Sequence, residues 1–294
     1  MPPMLEVKNL IKRYKAVDAV NDISFSIPRG ICFGLLGPNG AGKTTALEVI
    51  EDIIPPTGGE VLYNGAHRTS SFREEVGIQF QHTTLLNFMT VRETLATFHS
   101  LYQQTESIEH LVDICRLDDI QGQMNNKISG GQAQRLMLAL ALINKPKLIF
   151  LDEPSTGLDP QARRYLWEII RNIKENGKTI ILTTHSMDEA EYLCDEIAIM
   201  DHGKIIAQGS PADLIEQYCE GGTISLPRDN VKIHLAKLPY SYREVNGRIE
   251  IMPDKVNTGL EKLLAMQIDL AGMMVHSPNL EDVFLNLTGR TLRD

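Results

Sequence analysis

Residues 37–45, GPNGAGKTT, stand directly after the apolar run ICFGLL and directly before a stretch with helical apolar spacing. The segment fits GxxxxGK[ST] in full, in the strand–loop–helix setting that its mechanism requires. Glycines let the backbone amides wrap a phosphate chain, and the following helix adds the positive end of its dipole. The candidate nucleotide-binding residues are therefore Gly37, Pro38, Asn39, Gly40, Ala41, Gly42, Lys43, Thr44 and Thr45, with Lys43 reaching the β and γ oxygens and the Thr44 hydroxyl ligating magnesium. A loop of this kind is tied to an α/β sheet, because ligands of such sheets lie at the carboxyl ends of the strands.

The surrounding pattern agrees with that fold class. From Leu5 to about Tyr218, β-rich runs such as KLIFLDEP (147–154), KTIILTTH (178–185) and EIAIMDHGKIIAQG (196–209) alternate with amphipathic helical stretches. PQARRYLWEIIRNIKENG reads as one long helix that opens on a proline and stops at Gly177. Residues 85–144 read as a mostly helical insertion into the sheet. Near residue 220, CEGGTISLPRD breaks the pattern, so the first domain is expected over 1–219 and a small α+β domain over 220–294. In the latter, Asn246-Gly247 between β-capable segments marks a hairpin, and two short helices flank the strand LAGMMVHS.

LIFLDEP delivers two acids at the tip of an apolar strand. Asp152 is the expected magnesium ligand, through water, and Glu153 the expected general base for an attacking water. ISGGQAQRL (128–136) places Ser129, Gly130 and Gly131 at the start of another helix. Such an end favours a phosphate by about 0.3 to 1 kcal/mol when exposed, yet this segment has no lysine of its own to hold one.

Composition narrows the function classes. The chain has 294 residues and 43% hydrophobic content, enough for a sizeable core. Its longest apolar run, Leu136 to Ile143, is far short of the ~20 residues of a membrane-spanning helix, and no signal segment opens the sequence, so a cytosolic chain is expected. Four scattered cysteines without a CxxC pair argue against a disulfide framework and a zinc site. A net charge of -9 argues against unspecific nucleic-acid binding.

Taken together, these motifs resemble those of ABC-type ATPases, and the resemblance spans residues 1–218. It implies ATP and Mg2+ as cofactors. In that family the SGGQ signature, here Ser129, Gly130, Gly131 and Gln132, closes over the phosphate held by the other subunit of a head-to-tail homodimer. The missing lysine is then supplied in trans. Tyr14, in IKRYKAV, resembles the aromatic that stacks on adenine. Gln81, in VGIQFQ, resembles the glutamine that senses magnesium and couples the site to a membrane partner, with Gln79 as the alternative position. Asp159 resembles the residue of the loop that crosses the dimer interface, and His185 the histidine that contacts the γ-phosphate and orients water. Ile128 and Ala133 depart from the usual signature flanks without removing a phosphate ligand.

The tail, SPNLEDVFLNLTGR (277–290), resembles the C-terminal extension of drug- and antibiotic-resistance ATPases and of sodium-export ATPases, which partner ABC-2-type permeases. The resemblance implies a subunit held at the inner face of the cell membrane by a separate permease. Leu85, Leu86, Phe88 and Met89 form a receptor for a short permease helix if exposed, or pack the helical insertion if not. The alternative function is a soluble ABC ATPase acting on ribosomes or DNA. Neither the paired ATPase domains of the former nor the long coiled coil or zinc modules of the latter are visible. A P-loop GTPase or small-molecule kinase is disfavoured by the absence of an NKxD motif.

Overall fold

The computed structural model describes residues 2–15, 17–81, 83–219 and 221–289. They form two compact units, divided between Pro211 and Ala212.

Two sheets build the first unit. One is six-stranded: β3 (Cys32–Leu36), β6 (Val76–Gln79), β7 (Leu148–Asp152), β8 (Thr179–Thr184), β9 (Glu196–Asp201) and β10 (Lys204–Gly209), in the order β10-β9-β3-β8-β7-β6. All neighbours are parallel except the β9–β10 hairpin at one edge. β3, β7 and β8 are buried along their whole length. Strands covered on both faces need continuous apolar runs, which CFGLL and LIFL supply.

The other sheet is antiparallel: β1 (Leu5–Tyr14), β2 (Val17–Ile27), β4 (Gly58–Tyr63) and β5 (Ala66–His67), in the order β2-β1-β4-β5. Strands and helices alternating from Leu5 onward would not produce it. β1 and β2 alternate buried and exposed residues because one face meets the core and the other meets water. Helix α1 (Lys43–Ile50) touches strands of both sheets, and Leu5, Leu10, Phe33, Leu35, Leu47 and Phe150 close the core around it. Phe25 and Phe33 stack across that core with ring centroids 5.0 Å apart.

A short helix α2 (Phe72–Glu75) precedes β6. The helical insertion then comprises α3 (Val91–His99), α4 (Ile108–Ile114) and α5 (Gly130–Leu142), with two single-turn 3-10 segments between α4 and α5. α6 (Pro160–Glu175) crosses from β7 to β8, and α7 (Met187–Leu193) from β8 to β9.

Beyond α8 (Pro211–Tyr218), the second unit is an antiparallel sheet ordered β12-β13-β11-β14, from β11 (Thr223–Pro227), β12 (Ser241–Val245), β13 (Arg248–Met252) and β14 (Met274–His276). It carries α9 (Arg228–Val231), α10 (Val256–Ala265) and α11 (Leu280–Thr288). Ile224, Leu226, Ile249, Ile251 and Leu263 form its core. Asn246 and Gly247 both take positive φ, 51° and 75°, the turn that matches strand twist in a two-residue hairpin. The division falls eight residues before the expected boundary at 219/220. Apart from its first residue, Pro211, α8 belongs to the second unit, where the Asn286 amide donates to the Tyr218 carbonyl at 2.9 Å. The composition break at Gly221 and Gly222 lies inside this unit.

Candidate functional site

The parallel sheet brings the chemistry to one edge. In register, Leu36 of β3 lies beside Thr184 of β8, Thr183 beside Asp152 of β7, and Leu151 beside Gln79 of β6. The segments leaving these strand ends carry the GPNGAGK loop, Glu153, His185 and Gln81. Residues far apart in sequence therefore converge because four strand ends are level.

The loop folds back on itself. Lys43 is buried and its ammonium donates to the Gly37 carbonyl at 2.8 Å and the Pro38 carbonyl at 3.1 Å. The same nitrogen lies 3.7 Å from Glu153 Oε1. Burial pulls the Lys43 pKa down, opposed by the charges of Glu153 and Asp152. Gly42 has φ 100°, and a Cβ there would sit 2.2 Å from the Ala19 carbonyl, so only glycine lets the chain pass. Asn39, Gly40, Gly42, Lys43, Thr44 and Thr45 line a cavity of about 440 Å3 together with Gln81 and Glu153.

Glu153 is the meeting point. Its φ of 47° lies in the left-handed region, which costs a non-glycine residue about 1 to 3 kcal/mol. Thr183 holds it there: the Glu153 amide donates to the Thr183 carbonyl at 3.2 Å and to its hydroxyl at 3.0 Å. Gln81 Nε2 donates to Glu153 Oε2 at 3.0 Å, the Thr156 hydroxyl donates at 3.1 Å, and His185 Nδ1 stands 3.4 Å away. Gln79 faces elsewhere; it is buried and donates to Gln134 Oε1 at 2.6 Å. Of the two glutamines, Gln81 reaches the site.

Asp152 accepts hydrogen bonds from the Thr183 and Thr44 hydroxyls, while burial raises its pKa. Among the described residues, no cluster of three or more His, Cys, Asp or Glu side chains forms a cation site. A hydroxyl beside one carboxylate suits Mg2+, which keeps several waters and takes its remaining oxygens from bound phosphates.

The signature forms a separate place. Ser129 caps α5: its hydroxyl accepts the Gln132 amide at 3.3 Å, and Gln132 Oε1 accepts the Ser129 amide at 2.8 Å. This box uses the Ser129 and Gln132 amides, so the first-turn amides of Gly130 and Gly131 remain as anion donors. A Cβ on Gly131 would meet the Ala162 Cβ at 2.9 Å, so α5 approaches α6 closely only with glycine there. Ser129, Gly131, Gln132 and Asp159 line a cavity of about 1020 Å3. It shares no lining residue with the Lys43 cavity. Asp159 also caps α6, its Oδ1 accepting the Gln161 and Ala162 amides at 3.0 and 2.9 Å.

Tyr14 lies outside the Lys43 cavity. It ends β1 opposite Val17, which does line the cavity; it is 46% exposed, with the Lys12 ammonium 5.1 Å from its ring centroid. Exposure also decides the segment after Gln81: Phe88 is 75% and Leu86 51% exposed, whereas Leu85 and Met89 are half-buried. Two residues that the motifs alone did not single out are buried carboxylates, Glu51 at the end of α1 and Glu189 in α7. Neither sits in a motif, and only the fold makes their burial visible.

The family model described as ABC transporter matches residues 20–156, and one described as AAA domain, putative AbiEii toxin, Type IV TA system matches 126–190. The Nod factor export ATP-binding protein I of Sinorhizobium fredii is 38% identical over 99% of this chain and 87% of its own length. The linearmycin resistance ATP-binding protein of Bacillus subtilis is 35% identical over 99% of this chain and 100% of its own. Among solved structures, the ATP-binding subunit of an ABC transporter aligns with TM-score 0.65 and 30% identity over 73% of this chain and 93% of that one. A dimeric ATP-binding cassette in a post-hydrolysis state with ADP and Pi aligns with TM-score 0.63 and 26% identity, over 70% and 98%. With its phosphate loop, paired acids and signature helix on this fold, the chain belongs to the ABC transporter family as an ATP-binding and ATP-hydrolysing cassette.

Proposed function

We propose that this cassette is the ATPase subunit of an exporter, hydrolysing two ATP at sites shared by a head-to-tail homodimer and driving a separate ABC-2-type permease. The observation that carries this reading is the separation of the two phosphate-seeking places. Lys43 and the signature residues Ser129, Gly131 and Gln132 line different cavities of one chain. Each is half of a site, and a two-fold axis supplies the other half twice.

In each composite site the loop from Gly37 to Thr45 binds the phosphates of ATP, with Lys43 on the β and γ oxygens. Thr44 and Asp152 hold Mg2+, whose chemistry is to neutralise the developing phosphate charge, and Gln81 senses it. Glu153 takes the proton of the attacking water, and His185 orients that water against the γ-phosphate. Ser129, Gly130, Gly131 and Gln132 of the second copy close over that phosphate, beside the Asp159 loop. Tyr14, at the end of β1, stacks on adenine.

The permease reading rests on the apolar patch beside Gln81. Phe80, Leu86 and Phe88, which flank Gln81 in sequence, are exposed, and exposed apolar side chains that gather into a patch mark protein partners. Gln81 links that patch to Glu153 by its hydrogen bond. Among the described residues no helix is long and apolar enough to cross a membrane, and the proposed seat at the cytoplasmic face is supplied by the partner. Relatives named for export and for linearmycin resistance align along the tail as well, which favours export over a ribosomal or DNA role.

Pulling the chain down from solubilised membranes tests this. A membrane protein with several hydrophobic spans should accompany the wild type and be lost with Phe88→Asp, while the ATPase of the isolated chain stays unchanged. Recovery of ribosomes or nucleic acid instead, by both forms alike, would contradict the exporter reading.

A further inference from the structure

We infer that Glu189 is a positioning residue that locks the loop carrying Glu153 to the loop carrying His185 through one buried hub. The inference rests on the reading of those two residues as the hydrolytic pair. Glu189 lies in the first turn of α7 and is 1% exposed. A carboxylate taken that far from water persists only if hydrogen bonds replace its hydration. Three donors do so. Trp167 Nε1 donates to Glu189 Oε1 at 2.8 Å; burial pushes the Glu189 pKa up, and hydrogen bonding to the Thr184 and Ser155 hydroxyls and the Trp167 indole, with the charge of Arg163, acts against it.

Each donor comes from a different part of the site. Ser155 is buried two residues beyond Glu153, at the head of the turn that leads to Asp159. Thr184 ends β8, and its hydroxyl also accepts the Ser186 amide at 2.9 Å. The relay from Ser186 through Thr184 to Glu189 thus brackets His185 on both sides. Trp167 stands on α6, the helix that Asp159 caps, and stacks on Tyr192 of α7 with centroids 5.5 Å apart. One carboxylate thereby fixes how far His185 stands from Glu153, now 3.4 Å.

The indole of Trp167 can only donate, so the hub demands an acceptor there, and an ionised Glu189 supplies one to the two hydroxyls as well. A carboxylate offers only acceptors, whereas the amide of glutamine would turn its NH2 toward at least one of three donors. Glu189→Gln therefore keeps the volume but turns one acceptor into a donor and forces that arm to rearrange. Displacing a reacting group by about 1 Å costs on the order of a hundredfold in rate, and the nucleotide contacts themselves are untouched.

Steady-state ATPase kinetics of the full-length chain test the hub. In E189Q kcat should fall at least about tenfold while KM for ATP stays within about twofold of wild type. Ser155→Ala and Thr184→Val, which each delete one hydroxyl, should lower kcat in the same sense and keep the question answerable if E189Q does not fold. Trp167 is the single tryptophan of the chain, so its emission reads the hub directly and should differ between wild type and E189Q. Unchanged kcat per folded molecule with only a lowered Tm, or identical emission, would overturn the positioning role. Glu153→Gln separates the two levels: if it keeps normal turnover, the hydrolytic reading fails and the hub with it. If it is inactive while E189Q turns over normally, the hub alone is overturned.

Discussion

Glu153 concentrates the cost and the purpose of the site in one residue. Its left-handed backbone is held by two hydrogen bonds from its amide to Thr183, and its carboxylate gathers Gln81, Thr156, His185 and Lys43. Replacing it by glutamine keeps the shape and removes the proposed base. General-base catalysis contributes about 10²–10⁴-fold, so E153Q should lose hydrolysis by that order while binding ATP normally, as read by single-turnover rates beside equilibrium binding. Normal turnover would mean that another group takes the proton. Glu51 carries a different prediction. Burial first, then the charges of Asp152 and Glu48, raise its pKa from 4.5 to about 8, and its Oε1 has no partner. Between those pH values the unfolded chain releases a proton that the folded, nucleotide-free chain keeps. The group therefore costs nothing below pH 4.5, and stability is withdrawn as pH rises through about 8, by a few kcal/mol in the limit. Glu51→Gln should flatten the fall of Tm with pH over this window; a slope equal to wild type would contradict the assignment.

At the scale of elements, α5 and the four level strand ends do the work. The capping box uses Ser129 and Gln132 to start α5, and the close approach to Ala162 makes Gly131 obligatory. A bulky side chain in place of Ser129 should block the seat for a second copy's phosphate. Activity should vanish while ATP affinity of the monomer, measured by titration, stays near wild type, because Lys43 lies in another cavity. Loss of monomer binding would refute the separation. These elements were legible in the sequence because glycine and cap residues state a backbone geometry locally, and Lys43, Glu153, Gln81 and His185 follow strands whose apolar runs can be read. Gln79 and Gln81 are a harder pair: two residues apart, they share a nominal strand face, and only the end of β6 at Gln79 frees Gln81 to turn into the site. The antiparallel sheet of β1, β2, β4 and β5 and the burial of Glu51 and Glu189 were not legible. Both depend on partners distant in sequence. The division at Pro211/Ala212 differs from the expected boundary for a related reason: α8 joins the second unit through contacts distant in sequence, while the glycines that look like a linker lie within it.

For the molecule as a whole, the Lys43 cavity and the signature cavity share no lining residue. In the proposed dimer, Lys43 with Glu153 makes one half of a site, the α5 N-terminus with Asp159 the other, and isologous pairing of two copies would complete both at once. Mixing two inactive variants tests this most directly. A Lys43→Ala chain lacks the phosphate clamp but keeps its signature; a Ser129→Arg chain keeps the clamp but lacks the signature. Each alone should show no ATPase activity. Mixed, they form some dimers in which the intact Lys43 of one chain faces the intact Ser129 of the other, and turnover should return. Mixtures as inactive as the separate variants, although they co-purify as dimers, would contradict the shared site.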